Sequence, residues 1–203
     1  MAACSQSGVT LCIVFVSRQI KCFHVAREVI QSSTIGDVIA IQIDASAGRR
    51  ELVSWRADPT RAGLGSVFSV AVHTYNILRF MPSSKVVDVS AIFETGPRRD
   101  LERLTMVLMR FATGVLAYAN GNELTPFPLN DLVIYGSRDR IDGRGLSRPT
   151  GSREMRVLTA AGETSEPYDN RNCRGSPSQR SAGHFSTART SARRGRTASL
   201  PPH

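Results

Sequence analysis

Residues 103–112 and 115–122 form two apolar runs joined at Thr113-Gly114, and this pair constrains the fold more than any other stretch. In the first run Leu104, Met106 and Leu108 alternate with Thr105, Val107 and Met109, so both faces are apolar, as expected of a strand inside a sheet. In the second, Val115, Ala117 and Ala119 make a small face and Leu116, Tyr118 and Asn120 a larger, more polar one. A Thr-Gly turn between two such runs predicts a tight antiparallel hairpin. The small face is open to two readings: it accepts another domain or subunit, or helices of this chain cover it. Residues 85–94, 129–135 and 154–161 are further extended candidates. Residues 37–46 alternate cleanly, with Ile39, Ile41 and Ile43 on one side and Ala40, Gln42 and Asp44 on the other.

Two stretches have the helical period instead. Residues 19–33 repeat Ile20, Phe23, Ala26 and Ile30, with Gly36 placed to end the helix. Residues 66–81 repeat Val67, Val70, His73, Ile77 and Phe80, with Pro82 just beyond. Residues 10–16, short and rich in β-branched side chains, read as a buried strand. Residues 48–65, with Pro59 and no clear period, read as a loop. The expected fold class is α+β: an open, mostly antiparallel or mixed β-sheet covered on one face by two helices, with a disordered basic tail.

The charge supports that division. The 203 residues carry a net +9, but residues 170–203 hold seven arginines and no acid, which leaves the first 169 residues at only +2. A Ser, Thr, Arg and Gly-rich tail has little to bury and is expected to be disordered. It would bind nucleic acid only through salt-dependent phosphate neutralisation, with Phe185 as its one aromatic, and the near-neutral remainder argues against nucleic acid as a partner. Cys4, Cys12, Cys22 and Cys173 form no C-x-x-C pair, and the histidines at 24, 73, 184 and 203 lack ligand spacing, so no metal site is expected. The apolar run 9–16 is far short of the roughly 20 residues a membrane helix needs and lacks the flanks of a signal peptide. No membrane partner and a cytoplasmic location are therefore expected.

Ser69, His73 and Asn76 stand at i, i+4 and i+7, the spacing of one helix face. His73 is the candidate acid/base, because imidazole titrates near neutrality. Gly63 and Gly65 precede the helix and permit close backbone approach, but Phe68 stands where a G-x-G-x-x-G phosphate loop requires glycine.

The stretch 54–76, S-W-R-A-D-P-x-x-A-G-L-G followed by H-x-x-N, resembles the C-terminal domain of the Gfo/Idh/MocA oxidoreductases, the glucose-fructose oxidoreductase and inositol dehydrogenase family. L-T-M-V-L-M-R-F-A-T-G-V-L-A and L-V-I-Y-G-S-R-D-R-I continue the resemblance, and residues 8–36 are similar to the piece joining that family's two domains. The resemblance implies removal of a hydroxyl proton by His73 while hydride leaves the same carbon for NAD or NADP. It sets Ser69 where the family has aspartate, Ala71 where it has glycine and Asn76 where it has a second aspartate. Ser69 hydrogen-bonds but cannot supply the charge that would stabilise an imidazolium. Arg18, Arg56 and Asn76 are implied substrate-binding residues, and Trp55 is expected to be a packing anchor.

No strand-GxGxxG-helix unit precedes residue 8, and the family's E-K-P lysine is absent. The expected organisation is residues 1–16 as a remnant strand of the joining segment, 17–169 as the C-terminal α/β domain and 170–203 as the tail. The expected function is the substrate-binding and oligomerisation domain of an NAD(P)-dependent oxidoreductase acting on a sugar, polyol or related hydroxyl compound, truncated and inactive alone. The expected partners are a polyol or sugar-like substrate and a second copy at the open sheet face, and no cofactor is expected to bind this chain by itself. A non-enzymatic interaction module and a basic nucleic-acid binder stand as the alternatives.

Overall fold

The computed structural model describes residues 2–10, 15–49, 51–96, 101–146 and 152–169. The expected tail at 170–203 and residues 11–14 of the expected first strand lie outside the described residues. Among the described residues eight strands form one sheet: β1 (Val38–Ser46), β2 (Val86–Glu94), β3 (Leu104–Phe111), β4 (Leu116–Asn122), β5 (Leu132–Gly136), β6 (Arg140–Arg144), β7 (Ser152–Thr159) and β8 (Gly162–Asp169), in the order β2-β3-β4-β1-β5-β6-β7-β8. β1 runs parallel to β4, with Ile41 opposite Ala117 and Ile43 opposite Ala119. Every other neighbouring pair is antiparallel.

The helices are α1 (Ala2–Gln6), α2 (Lys21–Gln31), α3 (Pro59–Ala62) and α4 (Val72–Phe80), and a π-helical turn, Val67–Ala71, leads directly into α4. The apolar spacing of α2 turns Cys22, Phe23, Val25, Ala26 and Val29 inward, where they join Ile41, Ile43, Ile134 and Met155 of the sheet and Ile77 and Leu78 of α4 in one core. Full burial of a side chain such as Phe23 stabilises by about 1.5–3 kcal/mol relative to exposure. The helices cover one face, as the period-two and helical signals together predict.

The structure decides one open reading, keeps β3 inside the sheet as expected but with one apolar face exposed, and changes two local expectations. The small face of β4 is not the open one: Ala117 and Ala119 are buried beneath the helices, and a Cβ on Gly121 would stand 2.4 Å from the Ala71 Cβ. Small side chains are there because helix and sheet backbones approach closely. β3 is apolar on both faces, yet only Thr105, Val107, Met109 and Phe111 are buried, while Leu108 on the other face is 60% exposed. In β1, Ile39 turns outward because the register against β5 shifts between Val38 and Ala40. Val16, expected to end a strand, is 64% exposed and opens a 3-10 turn, Val16–Gln19.

The expected loop 48–65 contains a 3-10 turn, Ser54–Ala57, followed by α3. Pro59 occupies the first helical position, and Asp58 Oδ1 accepts hydrogen bonds from the Thr60 N–H at 2.9 Å and the Thr60 hydroxyl at 2.7 Å. Among the described residues no helix is long and apolar enough to cross a membrane.

Candidate functional site

The parallel strands β1 and β4 end side by side at Ser46 and Asn122, and in open sheets the carboxyl ends of parallel strands are a frequent place for ligands. Residues 66–80 pass over that end. Their start is fixed by the chain leading into β3: Glu102 Oε1 accepts the Val67 N–H at 3.0 Å, and the Glu102 carbonyl accepts the Ser66 N–H at 2.8 Å. A carboxylate from another element thus satisfies a donor that Ser66, with no side-chain cap bond of its own, leaves open. Gly65 must be glycine here, since a Cβ would lie 2.1 Å from the Glu102 carbonyl oxygen. At Gly65 the predicted close approach is therefore to the protein's own backbone.

Between α4 and the end of β1 lies a cavity of about 170 Å³, lined by Ser69 and His73 from the helix, Ile43 and Ser46 from β1, Ser17 from the 3-10 turn and Asn130 from the β4–β5 loop. Among the described residues His73 is its only titratable lining group. Its Nδ1 is buried and accepts or donates no hydrogen bond among the described residues, and the Phe15 ring stands edge-on with centroids 6.3 Å apart. Burial lowers the His73 pKa below its ordinary 6.5, which keeps the ring neutral at physiological pH and able to take a proton.

The Ser69 hydroxyl lies 2.9 Å from the Gly65 carbonyl oxygen and 2.9 Å from Glu123 Oε1. Glu123 is 1% exposed; its Oε2 faces Arg103 Nε at 3.6 Å, and its carbonyl accepts from Arg103 Nη2 at 3.1 Å. A carboxylate missing from position 69 is thus delivered next to Ser69 from the end of β4. Neither Glu123 nor Asn130 has a sequence signature: Glu123 follows the strand run 115–122 in a polar stretch, and Asn130 falls inside the extended run 129–135.

Asn76 and Arg18 are brought to each other instead of to the cavity. Arg18 Nε donates to Asn76 Oδ1 at 2.5 Å, and its guanidinium carbon lies 5.5 Å from the Phe80 ring centroid. Three residues of α-helix advance about 300°, so Asn76 stands about 60° round from His73. Arg18 lines a separate, larger recess of about 770 Å³ between α4 and the β2–β3 pair. Arg56 lines neither space; its guanidinium carbon rests 4.3 Å from the ring centroid of Trp55, itself 45% exposed.

The glycines ahead of α4 form no phosphate cradle: Gly65 is packed against Glu102 and an added Cβ on Gly63 would meet the Phe68 ring at 3.0 Å, and α2 follows Ile20 with no glycine turn. Among the described residues no cluster of three His, Cys, Asp or Glu is placed to hold a metal ion.

Among the described residues, an antiparallel sheet with one bare face, a single parallel pair and a helix carrying a histidine over that pair's carboxyl ends define an open-sheet α+β domain. Residues 23–142 match the family model of the GFO/IDH/MocA C-terminal domain, and the chain belongs to that family. The 1,5-anhydro-D-fructose reductase of Ensifer adhaerens is 26% identical over 174 residues, which cover 83% of this chain and 52% of that protein. The chain therefore spans about half the length of the curated relative it matches. The fold is similar to that of the aldose-aldose oxidoreductase of Caulobacter crescentus, solved with glycerol, at a TM-score of 0.71 and 20% identity over 83% of this chain and 50% of the other. It is also similar to an inositol dehydrogenase homolog of Azotobacter vinelandii, solved with NAD+, at a TM-score of 0.64 and 15% identity over 77% and 42%.

Proposed function

We propose that this chain is the substrate-binding domain of an NAD(P)-linked oxidoreductase acting on a sugar, polyol or related hydroxyl compound. Family membership supports the reaction class, and relatives named for anhydrofructose, aldoses and inositol support the substrate class. The observation that carries the reading is His73: among the described residues its Nδ1 has no partner and no other titratable group lines the cavity, and burial favours its neutral form. It takes the proton of a substrate hydroxyl, while Ser69, held by Glu123, orders the adjoining turn. In this reading the dinucleotide is held by residues other than the described ones, and Arg18, Asn76 and Arg56 contact substrate only where it extends beyond the cavity.

The test is a fusion in which the cofactor-binding domain of a relative precedes residue 8, with nicotinamide absorbance followed over a panel of polyols and aldoses. Turnover is expected, with His73→Ala lowering kcat by about 10²–10⁴-fold, the usual worth of a positioned acid/base. A His73→Ala fusion as fast as its parent overturns the reading. The unfused chain is expected not to bind NAD or NADP, and a dissociation constant tighter than about 100 μM, roughly −5.5 kcal/mol by calorimetry, would contradict that.

The same reading makes the bare sheet face a pairing surface for a second copy. Its support is a run of exposed apolar side chains, Ile92, Met106, Leu108 and Leu116, on three adjacent strands.

A further inference from the structure

Asn130 combines three features that packing alone does not require. It is 2% exposed, its φ is +60°, in the left-handed region, and it lines the cavity that holds His73. Asparagine visits this backbone conformation more readily than most side chains, and here its side chain has a use. Part of that use is visible: Asn130 Oδ1 accepts the Ser46 N–H at 2.6 Å, which holds the end of β1. That bond also fixes which end of the amide is which, because a backbone N–H needs an acceptor. The end left over is Nδ2, whose two N–H donors have no hydrogen-bond partner among the described residues. Holding Ser46 needs only an acceptor, which aspartate also supplies; the donors are what asparagine adds.

The rest of the lining narrows what those donors meet. Ser17, Ser46 and Ser69 bring hydroxyls, His73 brings a neutral ring, and Ile43 and Ala45 bring apolar surface. Among the described residues no lysine, arginine, aspartate or glutamate lines the cavity. A phosphate or carboxylate buried there would lose its hydration without gaining a counter-charge. A space of about 170 Å³ is also compact: it suits a small polyhydroxylated molecule and is too small for a nucleotide.

We propose that Asn130 orients the substrate, its Nδ2 donating to a hydroxyl or carbonyl oxygen of an uncharged polyol or sugar, and that the uncharged lining sets the site against phosphorylated and acidic sugars. The substrate class rests on the oxidoreductase reading above, whereas the binding itself is read without turnover.

The experiment uses the full chain, with glycerol, D-glucose and myo-inositol as neutral probes and D-glucose 6-phosphate and D-gluconate as charged ones. Side-chain amide and imidazole resonances are followed during titration. At least one neutral probe is expected to shift both the Asn130 amide and the His73 ring signals, and the charged probes to bind at least tenfold more weakly. Asn130→Asp keeps the acceptor for Ser46 and Asn130→Gly keeps the left-handed backbone, so between them they separate folding from recognition. Each is expected to weaken the neutral probe at least tenfold with a cooperative melt retained. Equal affinity in Asn130→Asp and the parent, or no neutral probe that moves the Asn130 amide, overturns the proposal. Binding through Asn130 with an inactive cofactor-domain fusion supports this proposal and overturns the oxidoreductase reading. An active fusion whose KM is unchanged by Asn130→Asp overturns this proposal alone.

Discussion

Ser69 shows how a residue's meaning depends on what faces it. The family resemblance sets an aspartate at this position, and sequence alone suggests that a carboxylate there would improve the site. Glu123 Oε1 already lies 2.9 Å from the Ser69 hydroxyl inside the protein. Ser69→Asp would therefore bring two carboxylates together in a dry environment, and like charges at such a distance do not both ionise without cost. We expect the change to lower stability by about 1–3 kcal/mol and the added Glu123→Gln to recover most of it, in a double-mutant cycle read by urea denaturation. Independent, additive effects would show that the contact is not made. His73 carries a second prediction. Because its folded pKa lies below 6.5, the unfolded chain binds more protons between the two values. The resulting loss of stability is complete below the folded pKa, shrinks as pH rises through that window and vanishes above about 6.5. Melting temperature measured from pH 5 to 8 should rise through that window, and His73→Asn should flatten this part of the slope.

The π-helical turn Val67–Ala71 depends on contacts that no single stretch of sequence contains. It starts where Glu102 receives the Val67 N–H, and it touches the sheet where Gly121 leaves room for Ala71. Gly121→Ala should cost about 1–3 kcal/mol by overpacking, measured by denaturant unfolding, because the new Cβ would lie 2.4 Å from that of Ala71. A neutral result would mean that the turn slides easily over β4. This dependence explains what the sequence reveals and what it hides. α2, α4 and β1–β5 are legible because apolar residues recur at the period of the element, and Ile41 or Phe23 can be assigned to the core by counting. β6 escapes notice because Arg140, Asp142 and Arg144 on its outer face outnumber its apolar residues, and β8 because only Tyr168 of its residues joins the core and it holds Pro167, which an edge strand tolerates. β5 begins later than its apolar run suggests because Asn130, at φ +60°, cannot lie in a strand. At the site, His73 and Ser69 are legible from helical spacing. Glu123 and Asn130 are not, since they reach the same place from the two ends of the β4–β5 connection by tertiary packing.

At the scale of the molecule the bare face of the sheet divides in two. Across β6–β8 it is charged and internally paired: Arg156 meets Glu154 at 3.0 Å and Glu163 at 3.4 Å, and Arg144 meets Asp131 at 3.2 Å and Asp142 at 3.3 Å. Across β2–β4 it carries an exposed apolar cluster, with Ile92 75% exposed opposite Met106 and Leu108 opposite Tyr118, bordered by Asp88 opposite Arg110. Water solvates the first half well and the second poorly, so the apolar half is where a second copy would gain most from burial. The two halves also predict different responses to substitution. Leu108→Glu points into solvent in the single chain, so it should leave the fold intact and abolish pairing, and sedimentation velocity should then show one species at the monomer mass while the parent shows a heavier one. The parent's melting temperature should rise with protein concentration, as it must when only the folded form associates, and that of Leu108→Glu should not. Arg156→Ala, at the charged end, should leave the association unchanged. A parent that sediments as a monomer with a concentration-independent melt would remove the pairing role from this face, and a Leu108→Glu chain that still associates would move the contact to another surface.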